Sequence, residues 1–431
     1  MVATDNDNNT ILKVLITDRS DKYSQQEEML KIECPYYIND IKLDSNNYEQ
    51  HIYIKYHKST TFTSSCCGEE NCKIHKVHPR IWRHLDSYNY KTFIHMDIPV
   101  VRCPKCNSTK VIDIPWARKS CRFTHEFEQR TIAFAERMPI SSASKFIGES
   151  DIVIANHVHN AVEEARKDIS FKDLEILGID ETSKSKGHNY ITTFVDLQKR
   201  KVVYIEDGKD KSVIHKFVDE LIKRCGHPNQ IKEIAMDMSK AFIAGVKEAF
   251  PDVQPTYDKF HNLKMANTCV NQVRIEEAKV TPALKGTKFL WLHNYTNLSK
   301  KQYEILINLS KRNLKTARAY RFKLSLQEIY RDCSYEEAIE QIKKLIGWGQ
   351  RSRLEPLKAF AKTLKTHFDG VLRYFKSGLT SGVIEGLNTK IQEVKRRSRG
   401  FPNLNHFKNM IYLVCGDLKI PKLYGTGKAT T

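Results

Sequence analysis

At 431 residues the chain is long enough for roughly two to four structural units rather than one core. Its 40% hydrophobic and 10% aromatic content excludes a disordered tail, and 70 Lys plus Arg against 51 Asp plus Glu, a formal charge of +19, favours a polyanionic partner. Nucleic acid comes first and an acidic membrane surface second. No apolar run approaches the roughly 18 residues of a spanning helix. The first residues (MVATDNDNNTILKVLITDRS) show no basic-then-apolar signal pattern, so a cytoplasmic protein without a membrane partner is expected.

Residues 1–60 are polar with short apolar-rich runs such as Ile11–Ile16, and no role is read for them. The cysteines that follow are unevenly placed. Cys66, Cys67, Cys72, Cys103, Cys106 and Cys121 crowd one stretch, while Cys34, Cys225, Cys269, Cys333 and Cys415 are scattered. A disulfide framework does not take this form, and clustered cysteines in a cytosolic setting point to metal. Cys103 and Cys106 form a C-x-x-C that wraps one side of a zinc ion. Cys67 and Cys72 are expected to supply the other side of a tetrahedral four-thiolate site, with Cys66 an equally placed substitute for Cys67 and His75 a substitute for a cysteine. A redox C-x-x-C is the alternative, but it lacks the βαβ setting of such motifs. With a strand expected over Tyr90–Ile98, residues 61–121 read as a zinc-binding β module holding one structural ion.

Three helical segments follow, at Phe123–Arg137, Ser141–Phe146 and Asp151–Arg166, with Gly148, Ser150 and Asp151 supplying a turn and a cap. A short helix, a tight turn and a longer helix make residues 122–168 a helix-turn-helix DNA-binding region; an ordinary helical linker is the alternative.

The order β-β-β-α-β-α-β-α is then expected from strands at Leu174–Asp180, Tyr190–Asp196, Lys201–Glu206, Ile231–Asp237 and Gln254–Asp258 and helices at Val213–Cys225, Lys240–Phe250 and from near Phe260. This is a mixed sheet with helices on its faces. Two of the strands end on carboxylates, Asp180 and Asp237. Side by side they would repel, and a divalent cation resolves the conflict, with oxygen ligands suiting magnesium or manganese. Helix capping is the plainer reading of either Asp alone. Residues from about 280 to 375 read as helical throughout. Between Lys300 and Lys323 stand Lys300, Lys301, Lys311, Arg312, Lys315, Arg318, Arg321 and Lys323 against a single acid, Glu304.

A third carboxylate is expected from a helix over Thr380–Gly400. There Ile384, Leu387, Ile391 and Val394 recur at helical spacing, and Glu385, Asn388, Gln392, Lys395 and Arg399 fall on an adjacent polar stripe. Glu385 could complete a metal site with Asn388 one turn on. Lys395, Arg396, Arg397 and Arg399 could hold DNA phosphates. Two metals about 4 Å apart on three carboxylates suit in-line displacement at phosphorus. Asp258 and His261 form a D-x-x-H, read either as metal or phosphate support or as a helix cap and a structural histidine.

The segments Arg102–Cys106 (RCPKC), Leu177–Tyr190 (LGIDETSKSKGHNY), Ala235–Met238 (AMDM), Tyr257–His261 (YDKFH), Gly382–Ile391 (GVIEGLNTKI) and Arg399–Phe401 (RGF) run in this order over most of the chain. In them the chain resembles the ISL-three family of bacterial insertion-sequence transposases of the DDE type. The resemblance implies a multidomain α+β protein. A zinc-binding β module and helix-turn-helix would precede a ribonuclease-H-like mixed α/β catalytic domain, residues 169–280 and 376–431, interrupted by an all-helical insertion at 281–375. It implies a catalytic, metal-binding triad of Asp180, Asp237 and Glu385. Terminal inverted repeats and target DNA would be its partners, a homodimer or larger assembly its active form, and a bacterial, nucleoid-associated location its setting. A transposase-derived regulator that binds without cutting, and a structure-selective nuclease on the same fold, are the rival functions.

Overall fold

The structure, a computed structural model, describes residues 21–185, 189–293, 297–379, 382–398, 400–401 and 403–421. The Ile11–Ile16 run, residues 186–188 of the Leu177–Tyr190 segment, Thr380 and Arg399 lie outside them. The chain divides into two compact units, one within residues 1–137, 143–157 and 421–431 and the other within 138–142 and 158–420. Among the described residues no helix is long and apolar enough to cross a membrane.

The first unit opens with a short helix, α1 (Ser24–Leu30), and is built on a five-stranded sheet. Its strands are β1 (Tyr36–Asp44), β2 (Glu49–Tyr56), β3 (Lys73–Arg83), β4 (Lys91–Arg102) and β5 (Thr109–Val111), in the order β1-β2-β4-β3 with β5 also on β4. The strand expected near Tyr90–Ile98 is β4. The sheet reaches back to Tyr36, into residues for which the sequence suggested no role. Tyr36, Ile38, Ile52 and Ile54 point inward and join Trp82, Ile94, Met96 and Ile98 in one core. Their period-two spacing is the signal of a half-buried strand.

Three helices follow, α2 (His125–Arg137), α3 (Ile140–Ile147) and α4 (Asp151–Lys167), within a residue or two of the expected segments. Gly148, with φ of 74°, takes the left-handed turn between α3 and α4 that a side chain would strain. In the first unit α2 is fastened by buried polar groups. His157 Nδ1 lies 2.8 Å from Thr131 Oγ1, Glu128 accepts from Arg118 Nε at 2.8 Å, and His84 Nδ1 lies 2.9 Å from Thr124 Oγ1. Burial pushes the His84 and His157 imidazoles down to about 4 from an ordinary 6.5. The unfolded chain therefore takes up protons first as pH falls. Stability is at its full value above pH 6.5 and is lost between 6.5 and 4, on the order of 3 kcal/mol per histidine. The melting temperature of the first unit should drop between pH 7.5 and 5, and His157→Gln should flatten that dependence. A wild-type melt independent of pH over this range would refute it.

The second unit begins with β6 (Ile176–Ser185), β7 (Asn189–Asp196) and β8 (Lys201–Asp207). It continues through α5 (Ser212–Lys223), β9 (Glu233–Met236), α6 (Lys240–Ala249), β10 (Thr256–Tyr257) and α7 (Lys259–Ala278), in the element order expected from sequence. The sheet order is β10-β9-β6-β7-β8, with β9 parallel to β6 and β10, and β7 antiparallel to β6 and β8. One expectation fails locally. Asp180 does not end its strand but lies within β6, opposite Thr193, because the β6–β7 hairpin continues to Ser185. The parallel β6–β9 ladder stops at Gly178 and Ala235. Asp180 and Asp237 thus both stand just past the point where two parallel strands part.

Eight further helices complete the unit among the described residues: α8 (Lys288–Leu292), α9 (Lys300–Ser310), α10 (Lys315–Asp332), α11 (Tyr335–Arg351), α12 (Glu355–Thr366), α13 (Phe368–Ser377), α14 (Gly382–Arg397) and α15 (Leu404–Cys415). On α14 the buried residues are Ile384, Leu387, Ile391 and Val394, the stripe its spacing requires. A Cβ on Gly178 would come within 2.9 Å of side-chain atoms of Ile384 and Leu197. The bare backbone at Gly178 therefore lets α14 lie directly on β6, which brings Glu385 and Asn388 beside Asp180.

Candidate functional site: a carboxylate cavity and a cysteine quartet

One cavity of the second unit, about 60 Å³, is lined by Asp180, Asp237, Asp258, His261, Glu385 and Asn388, with Ile179, Ala235, Met236, Thr256, Leu379 and Ile384. Every catalytic and supporting residue expected from sequence is therefore on one wall or another of a single space. The strand β6 supplies Asp180, the end of β9 supplies Asp237, the start of α7 supplies Asp258 and His261, and the first turns of α14 supply the rest.

Asn388 is the hinge of the arrangement. Its Nδ2 donates to Asp180 Oδ2, and its Oδ1 accepts from Thr182 Oγ1 at 3.1 Å. Thr182 is buried and two residues beyond Asp180, on the same face of β6. It fixes which end of the amide meets the carboxylate. Burial pushes the Asp180 carboxyl up to about 6; the Asn388 bond opposes the shift and the nearby Asp237 and Asp258 add to it. Glu385 is also raised, by burial and then by Asp258, with Lys259 pulling the other way. Asp237 accepts from Ser239 N at 2.9 Å. Asp258 caps α7 by accepting from Phe260 N at 2.9 Å and His261 N at 3.2 Å, so its capping role and its place on the cavity coexist. Lys259 Nζ donates to Tyr374 OH at 2.8 Å. The three acids share the cavity, but among the described residues their oxygens do not all lie within 4.8 Å of one another.

Thr182 and Lys259 were not singled out from sequence. Both lie inside the Leu177–Tyr190 and Tyr257–His261 segments, and strand alternation alone would have placed Thr182 beside Asp180. At the basic end of α14, Lys395 Nζ donates to Ser183 O at 2.6 Å, Arg397 pairs with Glu393 at 3.4 Å, and Arg396 is exposed. Lys395 thus also ties the helix to β6.

In the first unit the sulfurs of Cys66, Cys67, Cys103 and Cys106 all lie within 4.8 Å of one another, a group able to hold a metal ion. Cys67 and Cys103 approach to 3.4 Å. The expected fourth ligand, Cys72, is outside this group. It is buried in the sheet core, bridged to Phe62, with its thiol 3.3 Å from Glu69 O. Cys66 takes its place because the loop after β2 turns back through Gly68, at φ 72°. The hydroxyls of Ser64 and Ser108 push the Cys66 thiol down to about 6.

A family model described as a transposase matches residues 177–411, the span that holds all the acids of the cavity. The chain belongs to the ISL-three family of insertion-sequence transposases. It is similar to the transposase for insertion sequence element IS1001 of Bordetella parapertussis, 24% identical over 370 residues, covering 82% of this chain and 89% of that protein. It is similar also to the transposase for insertion sequence element IS1557 of Mycobacterium tuberculosis, 26% identical over 351 residues, covering 75% of this chain and 78% of that protein. Among solved structures, it is similar to a chain of a simian T-cell lymphotropic virus intasome in complex with PP2A regulatory subunit B56 gamma. There the TM-score is 0.16 and the identity 13%, covering 43% of this chain and 69% of that one, a likeness too slight to fix the fold.

Proposed function

We propose that this chain is a DDE transposase that binds the terminal inverted repeats of its element and cuts and joins DNA in a metal-dependent reaction at the carboxylate cavity. The observation that carries this is the convergence of Asp180, Asp237 and Glu385 on one cavity from β6, β9 and α14. The donor set fits magnesium or manganese. The oxygens are hard ligands, and the Asp180 carboxyl is pushed up to about 6 chiefly by burial, with Asp237 and Asp258 adding to it, a cost of ionisation that a divalent charge relieves. Two such ions, held by Asp180, Asp237 and Glu385, would activate water or a 3′ hydroxyl and stabilise the leaving oxygen. The chain's own residues prepare the site. Asn388 holds Asp180 in place, Thr182 orients Asn388, and Asp258 fixes the start of α7 and with it His261, which we assign to steadying the scissile phosphate. Arg396 and its basic neighbours on α14, Lys395 and Arg397, would meet DNA phosphates, as would Arg399 just beyond in sequence.

The domain assignment goes with this reading. Residues 61–121 form a zinc-binding module with one structural Zn²⁺ on Cys66, Cys67, Cys103 and Cys106, a soft tetrathiolate set suited to zinc. Residues 122–168 form a helix-turn-helix region. A ribonuclease-H-like catalytic domain at 169–280 and 376–431 is interrupted by the helical insertion at 281–375. Within residues 1–60, β1 and β2 extend the zinc module's sheet. Paired DNA ends call for a homodimer or larger assembly working in the bacterial nucleoid.

The test is to incubate purified protein with a labelled terminal repeat, with and without Mg²⁺ or Mn²⁺, and then with target DNA. Nicking at the repeat boundary followed by 3′-end joining is expected. Nicking without joining would indicate a structure-selective nuclease, and specific binding without nicking a regulator. In the same assay Thr182→Val should lower the rate about 10- to 100-fold by freeing the Asn388 amide, and Thr182→Ser should restore it. A Thr182→Val protein cutting at the wild-type rate would remove Thr182 from the site.

A further inference from the structure

The second unit carries a run of unopposed positive charge that the cavity does not use. From residue 305 to residue 327 the sequence has no acidic residue, and its cations are Lys311, Arg312, Lys315, Arg318, Arg321 and Lys323. Lys323 is structural: it is buried, and its Nζ donates to the carbonyls of Trp291 at 3.0 Å and Leu292 at 2.9 Å, closing the end of α8. The other five are exposed. Among the described residues none of the five makes an ion pair, although exposed cations nearby do, Lys279 with Glu276 and Arg331 with Asp332.

The placement works against the fold. Lys315 and Arg318 stand in the first turn of α10, where the helix dipole disfavours cations, and successive like charges one turn apart repel. The backbone amides there do not invite an anion themselves. Lys315 N and Thr316 N donate to the Glu277 carboxylate at 2.8 and 2.6 Å, and Thr316 Oγ1 donates to it at 2.8 Å. The helix start is therefore satisfied from within, and the five long side chains are left for something outside. Further along α10 the exposed charges are Glu328, Arg331 and Asp332, the last two paired with each other, so that end carries no excess of positive charge. The basic surface is thus bounded to the turn before α10 and its first two turns, about 15 Å of chain. That is the reach of a few phosphates on one strand, and three of the five cations, Lys315, Arg318 and Arg321, stand at helical spacing that keeps them on one side of α10.

We propose that Lys311, Arg312, Lys315, Arg318 and Arg321 form a second DNA surface, one that grips the phosphate backbone of duplex DNA without reading its sequence; the inference rests on the DNA reading above. Its test measures binding of the full-length protein to a labelled duplex of arbitrary sequence over a range of salt, without added Mg²⁺, so that cutting plays no part. The variant is Lys315→Gln with Arg318→Gln and Arg321→Gln. The control, Lys279→Gln with Lys343→Gln and Lys358→Gln, removes the same charge from residues already paired with Glu276, Glu340 and Glu355. The stripe variant should lower affinity more than tenfold at low salt and make the dependence of log Kd on log salt shallower by about two to three, one phosphate contact for each cation lost. The control should keep the wild-type slope, and the stripe variant should melt at or slightly above the wild-type temperature, so that lost binding cannot be laid to unfolding. An unchanged slope in the stripe variant, or an equal change in the control, overturns the proposal while leaving the transposase reading intact. Stripe-dependent binding to phosphatidylserine vesicles, with duplex binding unaffected, would overturn it in favour of a membrane surface. A wild-type protein that binds no duplex removes both this proposal and the reading it rests on.

Discussion

Asp180→Asn is expected to abolish metal-dependent cleavage and, at the same time, to make the metal-free protein more stable. A cavity that stabilises developing charge through bound cations contributes several kcal/mol, so losing one ligand should slow nicking roughly a thousandfold or more. Asp237→Asn and Glu385→Gln should do the same, each leaving repeat binding largely intact. The stability effect follows from the raised carboxyl. Held at about 6 when folded against 3.8 when free, Asp180 keeps its proton in the native state over a range where the unfolded chain has released it. Its penalty therefore appears as pH rises from about 4 and is complete above 6, on the order of 3 kcal/mol. Asn, which can still accept from Asn388 Nδ2, carries no such penalty. At pH 7.5 without Mg²⁺ the variant should melt several degrees above the wild type. The gain should vanish at pH 4, and saturating Mg²⁺ should close the gap by stabilising only the wild type. A variant that melts below the wild type at pH 7.5 would mean that Asp180 is held by contacts other than those described.

The second large effect concerns the cysteine quartet. Purified protein should carry one zinc per chain, and Cys66→Ser, Cys103→Ser or Cys106→Ser should each lose it, whereas Cys72→Ser should keep it. Four thiolates around one ion bind with more than about 10 kcal/mol, all of it available to the fold. The metal-free variants should therefore unfold the first unit at a markedly lower temperature, without shifting the melt of the second. Zinc retained in Cys66→Ser and lost in Cys72→Ser would restore the ligand set suggested by spacing alone.

Legibility in the sequence followed the strength of the local signals. The long helices and the β-β-β-α-β-α-β-α order could be read because each element buries a one-sided or continuous apolar pattern, as α14 does with Ile384, Leu387, Ile391 and Val394. The cavity could be read because its acids interrupt those patterns, and burying a charge calls for a reason. What escaped was set by contacts distant in sequence. Nothing local says that β6 runs past Asp180, because its continuation depends on the hairpin with β7. The choice of Cys66 over Cys72 is made by the sheet core that claims Cys72, and the strands at Tyr36–Asp44 and Glu49–Tyr56 are short alternations hidden among polar residues. Thr182 is a hydroxyl among hydroxyls until Asn388 arrives from 206 residues away.

That last separation bears on the order of events during synthesis. Asp180 and Asn388 are 208 residues apart, with α5 to α13 between them. Closing so long a loop comes late and is slow compared with local helix formation. A nascent chain thus exposes Asp180 and Asp237 well before α14 exists to seat Ile384 over Gly178 and bring up Glu385. Translation that halts short of α14 would yield chains that hold residues 1–137 and 143–157 of the first unit but lack Glu385 and Asn388, and with them a complete cavity. On the proposed reading, the chemistry of the cavity is in this sense deferred until the helix that carries Glu385 has been made.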